Sequence, residues 1–169
     1  TRSMGRVALM ATRATELALE QAGLLNDKRI QDGRMGVSFG SSSGTPDAVA
    51  DFAQMKLNNS TRGLTATSYI KMMAHTAPVN IGVFFGLKGR VITTSSACTS
   101  GSQGIGYAYE AIKYGRQEMM VPGGCEELCA TEAAVFDTLF ATSTKNDTPD
   151  KTPSPFDKHR DGLVIGEGA

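Results

Sequence analysis

The sequence predicts an α/β domain with a mostly parallel sheet covered by helices. Segments with a helical hydrophobic period alternate along the chain with short apolar runs of strand length. Glycine- and serine-rich turns punctuate the changes from one to the other. With 169 residues, 40% of them apolar and 20% charged, the chain is long enough and globular enough in composition for an ordinary core.

The elements follow in order. Residues 4–23 have helical period, with Val7, Met10, Ala11, Ala14, Leu17 and Ala18 on one face and Gly23 as the stop. RMGVSF, residues 34–39, reads as a buried strand, and GSSSGTPD after it as a turn with a new N-cap. Residues 46–57 read as helix, NNSTRGLT as loop, and residues 67–85 as helix despite Pro78 and Gly82. Arg90–Thr94 is a short strand, and Ile105, Ala108, Tyr109 and Ile112 mark a helix ending at Gly115. Glu118–Val121 is a strand closed by PGG. Residues 126–140 read as helix, residues 142–162 as a long surface loop, and Leu163–Ile165 as the opening of a last strand. No repeat at a fixed period and no low-complexity segment interrupts this order.

Composition narrows the function. A net charge of zero argues against a partner bound by phosphate neutralisation, so nucleic acid is not expected. No apolar run approaches the length of a membrane span, and the first residues show neither a signal nor a transit peptide. Three cysteines are too few and too odd for a disulfide framework, which points to a reducing, cytoplasmic setting. Cys125 and Cys129 stand as CEELC, with His75 and His159 far from them in sequence; a closed zinc site shows tighter pairing, so no metal is expected. The chain begins at Thr1 and stops in GLVIGEGA, an apolar run only just begun, so it reads as a piece of a longer protein.

Two small-residue turns compete for chemistry. GSSSG, residues 40–44, matches G-x-S-x-G after a strand, which would make Ser42 a hydrolase nucleophile. Its partners are not evident, because neither His75 nor His159 sits in a telling context, and the bland alternative is a flexible loop capping the next helix. The second turn is TTSSACTSGSQG, residues 93–104. Small residues on both sides permit a tight strand-to-helix elbow at Cys98. The positive end of the following helix favours negative charge on its sulfur, and unpaired N–H groups there can hold an oxyanion. A buried structural cysteine is the other reading that spacing allows.

The residues then go further than spacing. TTSSACTSGSQGIG closely resembles the active-site segment of β-ketoacyl-acyl-carrier-protein synthases. VPGGCEELC resembles that family's apolar strand, Gly-Gly turn and acidic pair. FATSTKNDTPDKTPSPFDKHRDGLVIGEGA resembles its stretch from ALST to PFDxxRDGFVxGEGA, and GRMGVSFGSSSG resembles its RxGVxxGSGxGG. EELC and STKNDTP lean toward the elongating type I subgroup.

The resemblance implies a thiolase-like fold, in which two similar halves pack as a five-layered αβαβα architecture and the enzyme is a homodimer. Residues 1–169 would be most of the N-terminal half, with both ends incomplete and the C-terminal half absent. The implied activity is an acyltransferase of fatty acid elongation. An acyl group passes from the phosphopantetheine of acyl carrier protein to the cysteine. Decarboxylative Claisen condensation with malonyl-carrier protein follows, with no permanently bound cofactor. The family's nucleophile falls on Cys98, whose N–H would be half of the oxyanion hole. A covalent thioester splits one hard step into two easier ones.

Phe136 aligns with a residue lining the acyl pocket, and Met73 falls where a partner subunit reaches the end of that pocket; helix packing is the competing reading for both. Arg2, Arg6 and Arg62 are candidates for docking the acidic carrier protein, against plain surface charge. Thr65 stands where the family often has a lysine. Ser42 would belong to a turn packed near the cysteine elbow and the dimer interface, and Asp157, Arg160 and Asp161 to a structural hydrogen-bonded turn. The family's two histidines, in HGTGT and GHxxGAAG, and its lysine have no counterpart here, and His75 and His159 do not match those motifs. Two alternatives stay open: a decarboxylase or chain-length-factor relative, disfavoured because such relatives replace the cysteine, and a non-catalytic piece that only dimerises or docks carrier protein.

Overall fold

The computed structural model describes residues 2–169. The described residues form two compact units. The first runs to Glu127 and takes in Gly168–Ala169; the second is Leu128–Glu167.

The first unit is built on three parallel strands in the order β2-β1-β3: β1 is Met35–Gly40, β2 is Val91–Thr94 and β3 is Met119–Gly124. β1 is central and buried along its whole length, which is why its sequence runs apolar and small without a polar alternation. Around it lie α1 (Arg6–Gln21), α2 (Asp47–Asn58), α3 (Ala66–Met72), α4 (Thr76–Phe85) and α5 (Ser100–Lys113).

The two faces of β1 differ in side-chain size. Met35, Val37 and Phe39 join Val7, Ala11, Leu19, Ala77, Ile81 and Phe85 of α1 and α4 in the apolar core. The opposite face meets α5 through a seam of small residues. A Cβ added at Gly104 would stand 2.8 Å from Gly123 O and 2.9 Å from Ser38 O, and one at Gly40 would stand 2.4 Å from Ser100 O. The backbones therefore touch almost directly, and α5 is seated so that its N-terminus lies over the ends of β1 and β3.

Several expectations shift. α1 buries Val7, Ala8, Ala11, Thr12, Thr15 and Leu19, whereas Leu17 is 48% exposed. The buried face is rotated because Thr15 can enter it, its hydroxyl bonded to Ala11 O at 2.8 Å. Residues 67–85 are two helices rather than one: Met73 is extended, with ψ of 150°, and closes α3. Pro78 stands in the first turn of α4, where its missing N–H costs nothing. PGG is not a turn but the end of β3, with Pro122 opposite Ser38. β3 has β1 on one side only among the described residues, and an edge strand tolerates proline.

The second unit contains α6 (Ala130–Thr138), shorter than the predicted 126–140. Leu163–Ile165 does not form a strand; Leu163 makes a single parallel bridge to Thr142. No described helix is long and apolar enough to cross a membrane.

Candidate functional site

All three strands run in one direction and end in register, with Gly40 opposite both Thr94 and Gly124. Their carboxyl ends therefore share one edge, where open parallel sheets generally hold their ligands. The loops that leave this edge carry Ser41–Thr45, Ser95–Thr99 and Cys125–Glu127.

Cys98 sits in the middle loop and is exposed, unlike the buried Cys125. It lies one residue outside the N-cap of α5, Thr99, and not within the helix itself. The residue before it, Ala97, has φ of +53°, a left-handed conformation that costs an alanine about 1–2 kcal/mol. Such strain persists only where the surroundings hold it.

Here hydroxyls do so. Ser100 is buried; its Oγ accepts from Ser96 N–H at 2.9 Å and donates to Ala97 O at 2.6 Å. Thr94 Oγ1 donates to Ser100 O at 2.7 Å from the end of β2. Thr99 N–H and Thr99 Oγ1 both donate to Ser96 O, at 3.3 and 2.9 Å. The elbow is thus closed on itself and on β2, and Cys98 is left at its outer corner.

The neighbouring loop is tied to the same edge. Ser41 N–H donates to Thr94 O at 3.2 Å, and Ser95 Oγ reaches Ser42 O at 3.4 Å. Ser42 is thereby placed next to the cysteine elbow, with its backbone rather than its hydroxyl making the contact. Its N–H donates to the Glu126 carboxylate, and Ser43 Oγ donates to the same group at 3.3 Å. Glu127 is buried, and its carboxylate accepts from Val7 N–H at 3.2 Å, capping α1 where Gly5 has no side chain to do so. Spacing could not reveal these roles of Ser100, Glu126 and Glu127, although the acidic pair was visible as a motif.

The other sequence-derived candidates stand on other elements. Met73 is half-buried after α3; its carbonyl accepts from Thr76 N–H at 2.9 Å and lies against Gly44. Arg6 opens α1, Arg2 stands in the turn before it and Arg62 in the loop between α2 and α3; all three are exposed. His75 is the N-cap of α4. Phe136 is half-buried on α6 in the second unit.

In that unit Asp161 accepts from Ser143 Oγ and Thr144 N–H, each at 2.9 Å, and pairs with Lys145 at 3.3 Å. Burial pushes its carboxyl up, but those donors outweigh it and hold the group below the ordinary value of 3.8. Asp157 accepts from His159 N–H at 2.7 Å, and Arg160 donates to Asp157 O at 2.9 Å. His159 is exposed in this hydrogen-bonded loop.

Comparison with known proteins adds to this geometry. The family model "Beta-ketoacyl synthase, N-terminal domain" matches residues 1–169. 3-Oxoacyl-[acyl-carrier-protein] synthase 1 of Escherichia coli K12 is 36% identical over 171 residues, which cover 99% of this chain and 42% of that protein. A crystal structure of a β-ketoacyl synthase from Burkholderia phymatum STM815 is 57% identical, with a TM-score of 0.94 over 99% of this chain and 41% of that one. A chain of the complex between a type II PKS acyl-carrier protein and its ketosynthase superposes with a TM-score of 0.77 at 25% identity, covering 98% of this chain and 42% of that one. The chain thus spans about two fifths of the length of the proteins it matches.

Proposed function

The chain belongs to the β-ketoacyl synthase family, with a thiolase-like α/β fold, and on that premise we propose that its protein is a β-ketoacyl-acyl-carrier-protein synthase of fatty acid elongation. The observation that carries this is Cys98, exposed on a strained elbow at the carboxyl edge of a parallel sheet. Cys98 is the acyl acceptor. Its thiolate attacks the thioester carbonyl of an acyl group carried on phosphopantetheine, a new C–S bond forms, and the pantetheine thiol leaves. Malonyl-carrier protein then loses CO2, and its carbanion attacks the acyl-enzyme carbonyl. Cys98 leaves as thiolate and the product is a β-ketoacyl thioester two carbons longer.

Within this reading the N–H of Cys98 is one donor of the oxyanion hole. The neighbouring N–H groups of Thr99 and Ser100 are directed at Ser96 O and Ala97 O, which supports giving that role to Cys98. Phe136 and Met73 line the acyl chain, and Arg2, Arg6 and Arg62 meet the acidic carrier protein. The protein works as a homodimer in the cytoplasm without a resident cofactor. None of the 169 residues stands in an HGTGT or GHxxGAAG segment, so the decarboxylation chemistry is assigned to no residue of this chain.

The test is intact mass after incubation with acyl-carrier protein, beside Cys98→Ala. A gain of one acyl group, absent in the variant, is the expected result. A folded protein that gains nothing would leave only a carrier-docking or dimerising role.

A further inference from the structure

We propose that Glu126 is a positioning residue for the Cys98 elbow, acting through the Ser41–Thr45 loop. The proposal rests on the reading of Cys98 as acyl acceptor and adds a residue to that site.

Glu126 is mounted rigidly. The residue before it donates to Gly40 O through Cys125 N–H at 2.9 Å, which prolongs the pairing of β3 with β1. Its own backbone is held from the other side by a reciprocal antiparallel pair with Gly168, at 3.1 and 3.0 Å. Both carboxylate oxygens then reach to one place: Oε1 takes the Ser42 N–H and Oε2 takes the Ser43 hydroxyl, at a sequence separation of more than eighty residues.

The loop so gripped touches two things the proposed reaction needs. On one side it meets the lead-in to Cys98, by Ser41 N–H on Thr94 O and Ser95 Oγ on Ser42 O. On the other it meets the end of α3. Thr45 N–H donates to Lys71 O at 2.9 Å, and a Cβ at Gly44 would stand 2.7 Å from Met73 O. A loop of serines and glycine has little side-chain packing of its own to fix it. A charged acceptor that binds one backbone donor and one hydroxyl supplies what the loop's sequence lacks. Glu126 thereby sets, through one loop, the elbow that carries the nucleophile and the backbone of Met73.

The experiment follows acyl loading by intact mass in the full-length protein, reading the rate and the final loaded fraction separately. Glu126→Ala is expected to slow loading by about 10–100-fold, the scale of a small misplacement of a reacting group. The final fraction loaded and the KM for acyl-carrier protein stay at the wild-type values. Glu126→Gln, which keeps one acceptor for Ser42 N–H and offers an N–H to Ser43 Oγ, recovers most of the rate. A role confined to stability would lower the loaded fraction and leave the rate of the folded molecules unchanged, and that result overturns the proposal. So does a Glu126→Ala protein that loads at the wild-type rate. Should Glu126→Ala not fold, Ser43→Ala removes one arm of the grip alone and must also slow loading; wild-type loading by it sinks the idea. A wild-type protein that takes no acyl group on Cys98 refutes the underlying reading and this proposal with it, whereas loading of wild type and Glu126→Ala at the same rate refutes this proposal alone.

Discussion

Gly104 and Gly106 lie two residues apart in α5 and should respond in opposite directions to alanine. At Gly106 an added Cβ meets nothing within 4 Å. There the change is a gain in helix propensity, about 0.5–1 kcal/mol. At Gly104 the same gain applies, but the Cβ would stand 2.8 Å from Gly123 O and 2.9 Å from Ser38 O. Both are backbone atoms of β3 and β1, held by the sheet, so neither can swing away. Ordinary contact begins near 3.4 Å, so α5 must lift by roughly half an ångström. Overpacking of this kind costs about 1–3 kcal/mol. The propensity gain is common to both variants, so their difference isolates the packing cost. At about 2–4 °C per kcal/mol for a chain of this size, Gly104→Ala should melt several degrees below Gly106→Ala. Circular dichroism melts of the two proteins measure this directly. If Gly104→Ala melts at or above Gly106→Ala, the account of the small-residue seam is wrong. Acyl loading gives a second reading, since a lifted α5 carries Ser100 with it and Ser100 braces the elbow.

Other outcomes follow from the same contacts. Ser100→Ala removes the acceptor for Ser96 N–H and the donor to Ala97 O, and should lower stability by about 1–3 kcal/mol in denaturant melts while slowing acyl loading. Ala97→Gly relieves the left-handed backbone and should leave stability within about 1 kcal/mol of wild type, whereas Ala97→Val, β-branched at positive φ, should cost more than the alanine strain already present. Asp161 titrates below its ordinary value, so its hydrogen bonds support the folded loop above pH 3.8 and are lost as pH falls through the depressed pKa. The Thr144 amide resonance, followed by NMR in acid, should shift with a midpoint below 3.8 and lose that transition in Asp161→Asn.

The sequence carried the parallel α/β class because helical and strand periods are local properties. It carried the elbow for the same reason: a cysteine between small residues, after a strand and before a helix, is a local pattern with a physical meaning. It failed where the decisive partner is remote. The apolar face drawn for α1 placed Leu17 inside, yet the helix turned so that Thr12 and Thr15 are buried. Only the packing of α4 against α1 decides that. PGG reads as a turn from dihedral freedom alone, and only its register with Ser38, Phe39 and Gly40 makes it strand. Leu163–Ile165 has strand composition but finds only one bridge among the described residues.

The same limit explains which site residues were legible. Cys98 could be proposed from its own neighbours along the chain: small residues between a strand and a helix start. Ser100 could not be ranked above Thr99 or Ser102, since all are hydroxyl or small residues at a helix start. What distinguishes Ser100 is that its hydroxyl closes back on Ala97 O while its carbonyl receives Thr94 Oγ1. Glu126 and Glu127 are adjacent and identical in type, yet one grips Ser42 and Ser43 and the other caps α1 at Val7. Neighbouring side chains at the end of a strand point to opposite sides, so an acidic pair there tethers two separate segments with one turn of chain. Replacing either glutamate alone should therefore release a different part of the molecule: Glu127→Ala frays the start of α1, while Glu126→Ala loosens the loop beside Cys98. Hydrogen exchange read segment by segment tests that division. Glu127→Ala should raise exchange at Val7 and the first turn of α1 and leave Ser42 protected. Glu126→Ala should do the reverse. Equal loosening of both segments in both variants would mean that the pair acts as one undivided support, and Glu126 would then have no separate claim on the elbow.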